Sequence, residues 1–340
     1  MVSLDHISFP AYLGVDVGGT TIKIGIVDNS GRSFAHGKID TNHERGPEDG
    51  VRRIIELAEG LLAESGLNWE QIRAIGLGTP GTMDVKQGML LHMPNMSGWD
   101  HFPIRSYLAD QTDKPVAFLN DANAAAYGEY WVGRGQECDS LVMFTLGTGV
   151  GGGIIIQDIT LDGAHSHGSE LGHITIDSSA DARQCPCGQF GHLEAYVSAT
   201  SVAKRTQEQL DEGEESSLQT TWSEQGMVSS LDVATHAEQG DEFANRMIRE
   251  TGHYLAIGIT SVLHMIDPDI VVLGGAMNFG GHQTRAGQAF LEAIHQRIRE
   301  LTFPVLAENT IIDFATLGSD SGIIGAAGVA RKQFGKIETL

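Results

Sequence analysis

Between His173 and Glu194 the chain reads H-I-T-I-D and then C-P-C-G-Q-F-G-H-L-E, bringing His173, Cys185, Cys187 and His192 into one short segment. Zinc favours four thiolate and imidazole ligands in a tetrahedron, so these residues could close a structural site without water as a ligand. Cys-x-Cys is tighter than the usual Cys-x-x-Cys spacing, and a pair of unbonded cysteines in a glycine-rich turn answers to the same residues. A carboxylate stands on each side, Glu170 and Glu194. Carboxylates accept paired hydrogen bonds from vicinal hydroxyls, as sugar rings offer, although each glutamate taken singly also reads as a surface residue. His165 and His167 lie in a Gly/Ser-rich loop and read as exposed polar residues rather than a second metal pair.

Two further segments offer phosphate chemistry. Gly18-Gly19-Thr20-Thr21 and Gly147-Thr148-Gly149 are turns of small residues whose backbone N–H groups and hydroxyls can cradle phosphate oxygens without a cationic patch. An ordinary tight hairpin is the competing reading of either turn alone; two copies favour phosphate. Asp16 could hold Mg²⁺ through water and Lys23 could face a phosphate, or both are solvent-facing strand residues. Asp121 follows an apolar strand and precedes an alanine-rich helix, so it is either the helix N-cap or a general base for a substrate hydroxyl.

These groups need a scaffold, and the apolar pattern supplies one. Leu13, Val15 and Val17 alternate, as do Ile22, Ile24 and Ile26, which predicts a hairpin around the first turn. Val142 to Leu146 and Ile154 to Ile156 repeat the design around a glycine-rich turn spanning 147–153. The two units lie about 130 residues apart and suggest a duplicated core. Gly147, Gly149 and Gly152 also spell G-x-G-x-x-G, but strand rather than helix follows, which argues against a dinucleotide fingerprint. Gly37-Lys38 is followed by Ile39, so there is no Walker loop. Helices are expected at 51–65, 122–132, 243–265 and 321–334, and strands at 72–77, 116–119 and 270–273. Gly78-Thr79-Pro80-Gly81 and Gly274-Gly275 follow strand ends, where open α/β sheets bind ligands.

With 44 acidic and 22 basic residues in 340, the net charge of −22 opposes nucleic acid and anionic membrane surfaces. Part of the acidity lies in 207–224, read as a solvated helix end and loop. No apolar run approaches the roughly 20 residues of a membrane span, and residues 1–12 lack a basic-then-apolar leader. Three cysteines, with Cys138 remote from the others, fit a reducing cytoplasm rather than a disulfide framework.

In order, L-G-V-D-V-G-G-T-T-I-K-I-G-I-V-D, L-G-T-P-G, L-N-D-A-N-A-A-A-Y-G-E, L-G-T-G-V-G-G-G-I-I, S-E-L-G-H-I and C-P-C-G-Q-F-G-H-L-E resemble the repressor, open-reading-frame, kinase (ROK) family from about residue 13 to 330. The resemblance implies an α/β, actin-like (hexokinase-type) ATPase fold: two α/β lobes with a duplicated core and a cleft between them, usually as a homodimer or homotetramer. The expected small lobe is 1–121, completed by a C-terminal helix at about 325–340. The large lobe is 122–324 with the zinc segment 173–192.

The resemblance also implies the roles. Asp121 would be the catalytic base, with Asn120, Glu170, His173 and Glu194 on the sugar hydroxyls and Gly81 and Asn95 in the same pocket. Asp16, Gly18, Gly19, Thr20, Thr21, Lys23, Thr148, Gly149 and Gly275 would bind ATP. His192 stands where the family usually has a third cysteine, which gives a Cys₂His₂ zinc set. The implied reaction is ATP- and Mg²⁺-dependent phosphorylation of the 6-hydroxyl of an aldohexose, glucose first, with N-acylhexosamine (GlcNAc, ManNAc) or fructose as the alternatives. A regulator of the family would carry a DNA-binding helix pair ahead of Leu13, which is not expected here, and a non-catalytic sugar sensor would lack the base or the sugar carboxylates.

Overall fold

A computed structural model describes residues 7–93 and 96–335. By internal packing the chain forms two units, Met1–Glu137 with Gly153–Ser169 and Thr316–Leu340, and Cys138–Gly152 with Glu170–Ala315.

The first unit opens with strands β1 (Ala11–Val17), β2 (Thr21–Val27) and β3 (Ser33–Asp40). Helix α1 (Pro47–Glu64) begins with proline in its first turn, where a missing N–H costs nothing, and turns Val51, Ile54, Ala58, Leu61 and Leu62 inward. Strand β4 (Ile72–Thr79), the short pair β5 (Thr82–Asp84) and β6 (Met89–His92), helix α2 (Ile104–Thr112), strand β7 (Val116–Asn120) and helix α3 (Asp121–Val132) follow. The sheet order is β3-β2-β1-β4-β7; β1 is antiparallel to β2 and parallel to β4, and β4 is parallel to β7. The inward residues of β1, β2, β4 and α1 build one apolar core that includes Trp99.

Strand β8 (Ser140–Leu146) opens the second unit, and β9 (Val150–Ile156) is the strand along which the chain returns to the first, where it pairs with β10 (Ile159–Thr160). Helices α4 (Glu194–Val197), α5 (Ala199–Asp211), α6 (Leu218–Gln225), α7 (Ser230–Glu238) and α8 (Glu242–Ile266) come next, then strand β11 (Ile270–Gly274), helices α9 (Arg285–Leu301) and α10 (Pro304–Asn309) and strand β12 (Ile311–Phe314). β11 is parallel to both β8 and β12. Helix α11 (Ser321–Phe334) closes the chain in the first unit. Among the described residues, no helix is long and apolar enough to cross a membrane.

Three expectations are corrected. The glycine turn is only 147–149 long, since 150–153 are already strand. The polar 207–224 segment carries helix α5 to Asp211 and then α6, because Leu218 is fully buried. The sequence-based boundary at 121 falls inside the first unit, because α3 is locked against α11: a Cβ on Gly325 would lie 1.6 Å from the Ala124 carbonyl oxygen, so glycine alone permits this approach.

Candidate functional site

In the first unit, Asp16 and Lys23 face each other across the β1–β2 ladder. Burial pushes the Asp16 carboxyl up, opposed by the Lys23 charge. Lys23 Nζ donates to the Ser319 carbonyl (3.2 Å), beside the start of α11. The turn between the strands is held by its carbonyls. Thr41 Oγ1 donates to Gly18 O (2.6 Å) and Gly18 N–H donates to Thr21 O (2.9 Å), while Thr41 N–H donates to Thr20 O (2.8 Å). Gly19 and Thr20 are exposed. A donor-lined turn results, with Thr41 as a clamp that sequence inspection missed.

Asn120 ends β7 and Asp121 begins α3. Asn120 has extended backbone (φ −69°, ψ 147°), and its side-chain oxygen accepts from the N–H groups of Ala122 (2.8 Å) and Asn123 (3.3 Å). Asn120 is therefore the N-cap, and the capping alternative for Asp121 is set aside. Asp121 Oδ1 accepts the neighbouring Ala122 N–H at 2.8 Å. Gly81 follows β4 with φ 80°, a left-handed turn residue, and Asn95 lies outside the described residues. His165 and His167 are exposed.

The second unit holds the other turn, and its polar groups can be accounted for one by one. Gly147 N–H donates to Gly149 O (2.9 Å), Ala199 N–H to Gly147 O (2.8 Å), and Thr200 Oγ1 to Thr148 O (3.0 Å). Val150 N–H donates to Glu194 Oε2 (2.8 Å). Every carbonyl of the turn is drawn back into the protein, while the Thr148 and Gly149 N–H groups are not among these donors. Such a turn suits an anion. Ser198 caps α5 by accepting the Ser201 N–H (3.1 Å), which sets Ala199 and Thr200 against the turn; V-S-A-T-S was the available signal for these missed residues.

His173, Cys185, Cys187 and His192 meet in the same unit, with one ligating atom from each lying within 4.8 Å of the others. The two imidazoles face through Nδ1 at 3.3 Å, and Cys187 Sγ is 3.3 Å from His192 Nδ1. Zinc–nitrogen bonds of about 2.0–2.1 Å in a tetrahedron place two nitrogens roughly 3.3–3.4 Å apart, so the donor set fits the ion. The Cys185–His173 separation is wider, 3.9 Å. Burial, with Cys187 and Glu194 nearby, pushes the Cys185 thiol up to about 12. A cation is what would make it a thiolate. Burial and His173 hold His192 below the usual histidine range, in the neutral form that ligates metal. Each imidazole gives Nδ1 to the cluster, which leaves His173 Nε2 as its second polar atom.

Glu170 is exposed at the start of a short 3₁₀ turn, Leu171–His173. Glu194 heads α4, half-buried, with Oε1 3.7 Å from Cys185 Sγ. Gly275 follows β11 with φ 91°. Beside it lies a pocket of about 220 Å³, lined by Leu231, Ala234, Ala276, Met277, Phe279 and Thr284 among others.

Residues 12–333 match the ROK family. The chain is 34% identical to a glucokinase of Halalkalibacterium halodurans over 96% of its own length and 97% of that protein. It is similar to the crystal structure of a ROK hexokinase from Thermus thermophilus (32% identity, TM-score 0.78, 95% of this chain and 98% of that one). It is likewise similar to a ROK glucokinase from Streptomyces griseus solved with glucose and AMPPNP (30% identity, TM-score 0.77, 95% and 99% covered).

Proposed function

The chain belongs to the ROK family, and from that premise we propose that it is a glucokinase, transferring the γ-phosphoryl group of ATP to the 6-hydroxyl of glucose. Its fold is the actin-like, hexokinase-type ATPase fold.

The observation that carries the reading is the Gly147–Gly149 turn, whose carbonyls are tied back so that backbone donors remain for phosphate oxygens. The Gly18–Thr21 turn supplies the second set. In a loose phosphoryl-transfer transition state the protein positions and neutralises more than it reacts. Asp121 accepts the O6 proton as O6 bonds to the γ-phosphorus and the bond to ADP breaks. Asn120, fixed by its capping bonds, offers its amide to a sugar hydroxyl. Glu170, His173 Nε2 and Glu194 take further hydroxyls, and Gly81 and Asn95 are proposed as further sugar contacts. The apolar pocket beside Gly275 takes the adenine. Asp16 would hold Mg²⁺ through water, and the ion would neutralise phosphate charge. His173, Cys185, Cys187 and His192 would hold Zn²⁺, which fixes the His173 ring so that Nε2 keeps one direction. A homodimer or homotetramer is the proposed assembly, resting on family membership.

ADP release measured across glucose, mannose, fructose, GlcNAc and ManNAc tests the reading. Glucose should give the highest kcat/KM. A lead for fructose or an N-acetyl sugar would move the substrate, and no turnover with any of them would refute the kinase.

A further inference from the structure

The geometry points to Glu194 as the residue that couples sugar binding to nucleotide binding, over and above the sugar contact proposed for it. This rests on the kinase reading. The two oxygens of its carboxylate face different parts of the second unit. Oε2 accepts the Val150 N–H at 2.8 Å, at the first residue after the phosphate turn, while Oε1 lies 3.7 Å from Cys185 Sγ in the His/Cys cluster.

The carboxylate also packs against the turn itself. A Cβ on Gly149 would sit 2.6 Å from Glu194 Oε2, so the absent side chain is what lets the two approach. Behind the carboxylate the backbone is pinned, because Ser201 Oγ and Ser198 N–H both donate to Glu194 O, at 2.7 and 3.2 Å. The remaining holds on the turn come from Ala199 and Thr200 of the same helical segment.

With the sugar contact proposed above assigned to Oε1, beside the Cys185 thiol, Glu194 has its other oxygen on the turn that presents the Thr148 and Gly149 donors. A hexose that fixes Oε1 also fixes Oε2, and with it the turn. Nucleotide then meets donors already in place and binds more tightly, and by linkage nucleotide tightens sugar by the same factor. Glu194 acts on the nucleotide through Val150, as a positioning residue.

The test is calorimetric titration of the full chain with Mg-ADP, with and without saturating glucose, and with glucose alone, at matched zinc content. In the wild type, glucose should tighten ADP about fivefold or more. Glu194→Ala should weaken ADP alone by about tenfold, the loss expected for a charge-assisted hydrogen bond, and glucose should no longer change ADP affinity. Glu194→Asp, too short to reach Val150, should do the same and carries the comparison if the alanine variant does not fold. Glu194→Gln keeps an oxygen for the Val150 N–H, so ADP alone should stay within about twofold of wild type while glucose weakens. Normal ADP affinity in both the Ala and Asp variants would reduce Glu194 to a sugar contact and overturn the coupling. Independent binding of the two ligands to the wild type would overturn it as well. A wild type that binds neither glucose nor ADP would instead defeat the kinase reading.

Discussion

Replacing Gly325 with alanine should destabilise the protein and slow it together. The new methyl would lie 1.6 Å from the Ala124 carbonyl oxygen, whereas real Cβ contacts essentially never fall below 3.0 Å, so α3 and α11 must part by at least the 1.4 Å difference. The obstacle is backbone, and no rotamer relieves it. The adjacent crossing is also close, since a Cβ on Gly128 would meet the Ser321 carbonyl oxygen at 2.5 Å. Overpacking a core costs about 1–3 kcal/mol, and a forced backbone shift belongs at the upper end. Alanine in a helix returns about 1 kcal/mol relative to glycine, which leaves a net loss of about 2 kcal/mol. Asp121 is the first residue of α3, and a displacement of about 1 Å at a reacting group lowers turnover by roughly 10²-fold. Gly60→Ala is the control: Gly60 is exposed in α1 with nothing within 4 Å of the added Cβ, so that variant should gain about 0.5–1 kcal/mol and keep full activity. Urea unfolding and kcat at saturating glucose report both effects. A Gly325→Ala protein with wild-type midpoint and turnover would refute the close helix approach and its role in placing Asp121.

Asp121→Asn should lower kcat by about 10² or more while glucose affinity by calorimetry stays within about threefold, and near-normal turnover would remove Asp121 from the role of base. Purified without chelator, the protein should carry about one zinc per chain by atomic emission; Cys185→Ser should lose metal and activity, and His192→Cys should keep the metal because thiolate serves equally as a ligand. A fully active, metal-free preparation would show the ligand assignment to be wrong. Asp28 is fully buried, and although burial pushes its carboxyl up, hydrogen bonds from Ser30, Ser8 and Arg32 outweigh it and hold it below the usual range. A depressed carboxyl stabilises the fold above its unfolded pKa of about 3.9 and loses that contribution as pH falls through the folded value. Asp28→Asn should therefore be less stable than wild type at pH 7, with the difference shrinking below about pH 4 in urea titrations; a gap independent of pH would argue against the ionised network.

The parts legible in sequence are those whose chemistry is local. A Gly-Thr turn announces its own donors, Cys-x-Cys with a following histidine its own ligands, and the long α8 its own apolar stripe. What holds them comes from elsewhere in the chain. Thr41 reaches the Gly18 carbonyl from 23 residues away, Thr200 reaches the Thr148 carbonyl from 52, and Glu194 reaches Val150 from 44. No window of sequence contains both ends of such a bond. Strand β3, S-F-A-H-G-K-I-D, carries no clear alternating signal because its outer position in the sheet leaves half its residues polar or exposed.

Asn120 and Asp121 show the same limit at the scale of one residue. Both are good caps by composition, and only the backbone decides: extended φ/ψ at Asn120 gives the cap to the amide. The consequence is chemical. An asparagine cap satisfies the second and third N–H groups of α3 with a neutral oxygen, so the helix start does not need the carboxylate next to it. Asp121 Oδ1 shares the Ala122 N–H, and a proton taken on its other oxygen would leave that acceptor in place. The two bonds to the Asn120 amide oxygen predict that Asn120→Asp, which keeps an acceptor there, preserves the fold while Asn120→Ala lowers stability by about 1 kcal/mol.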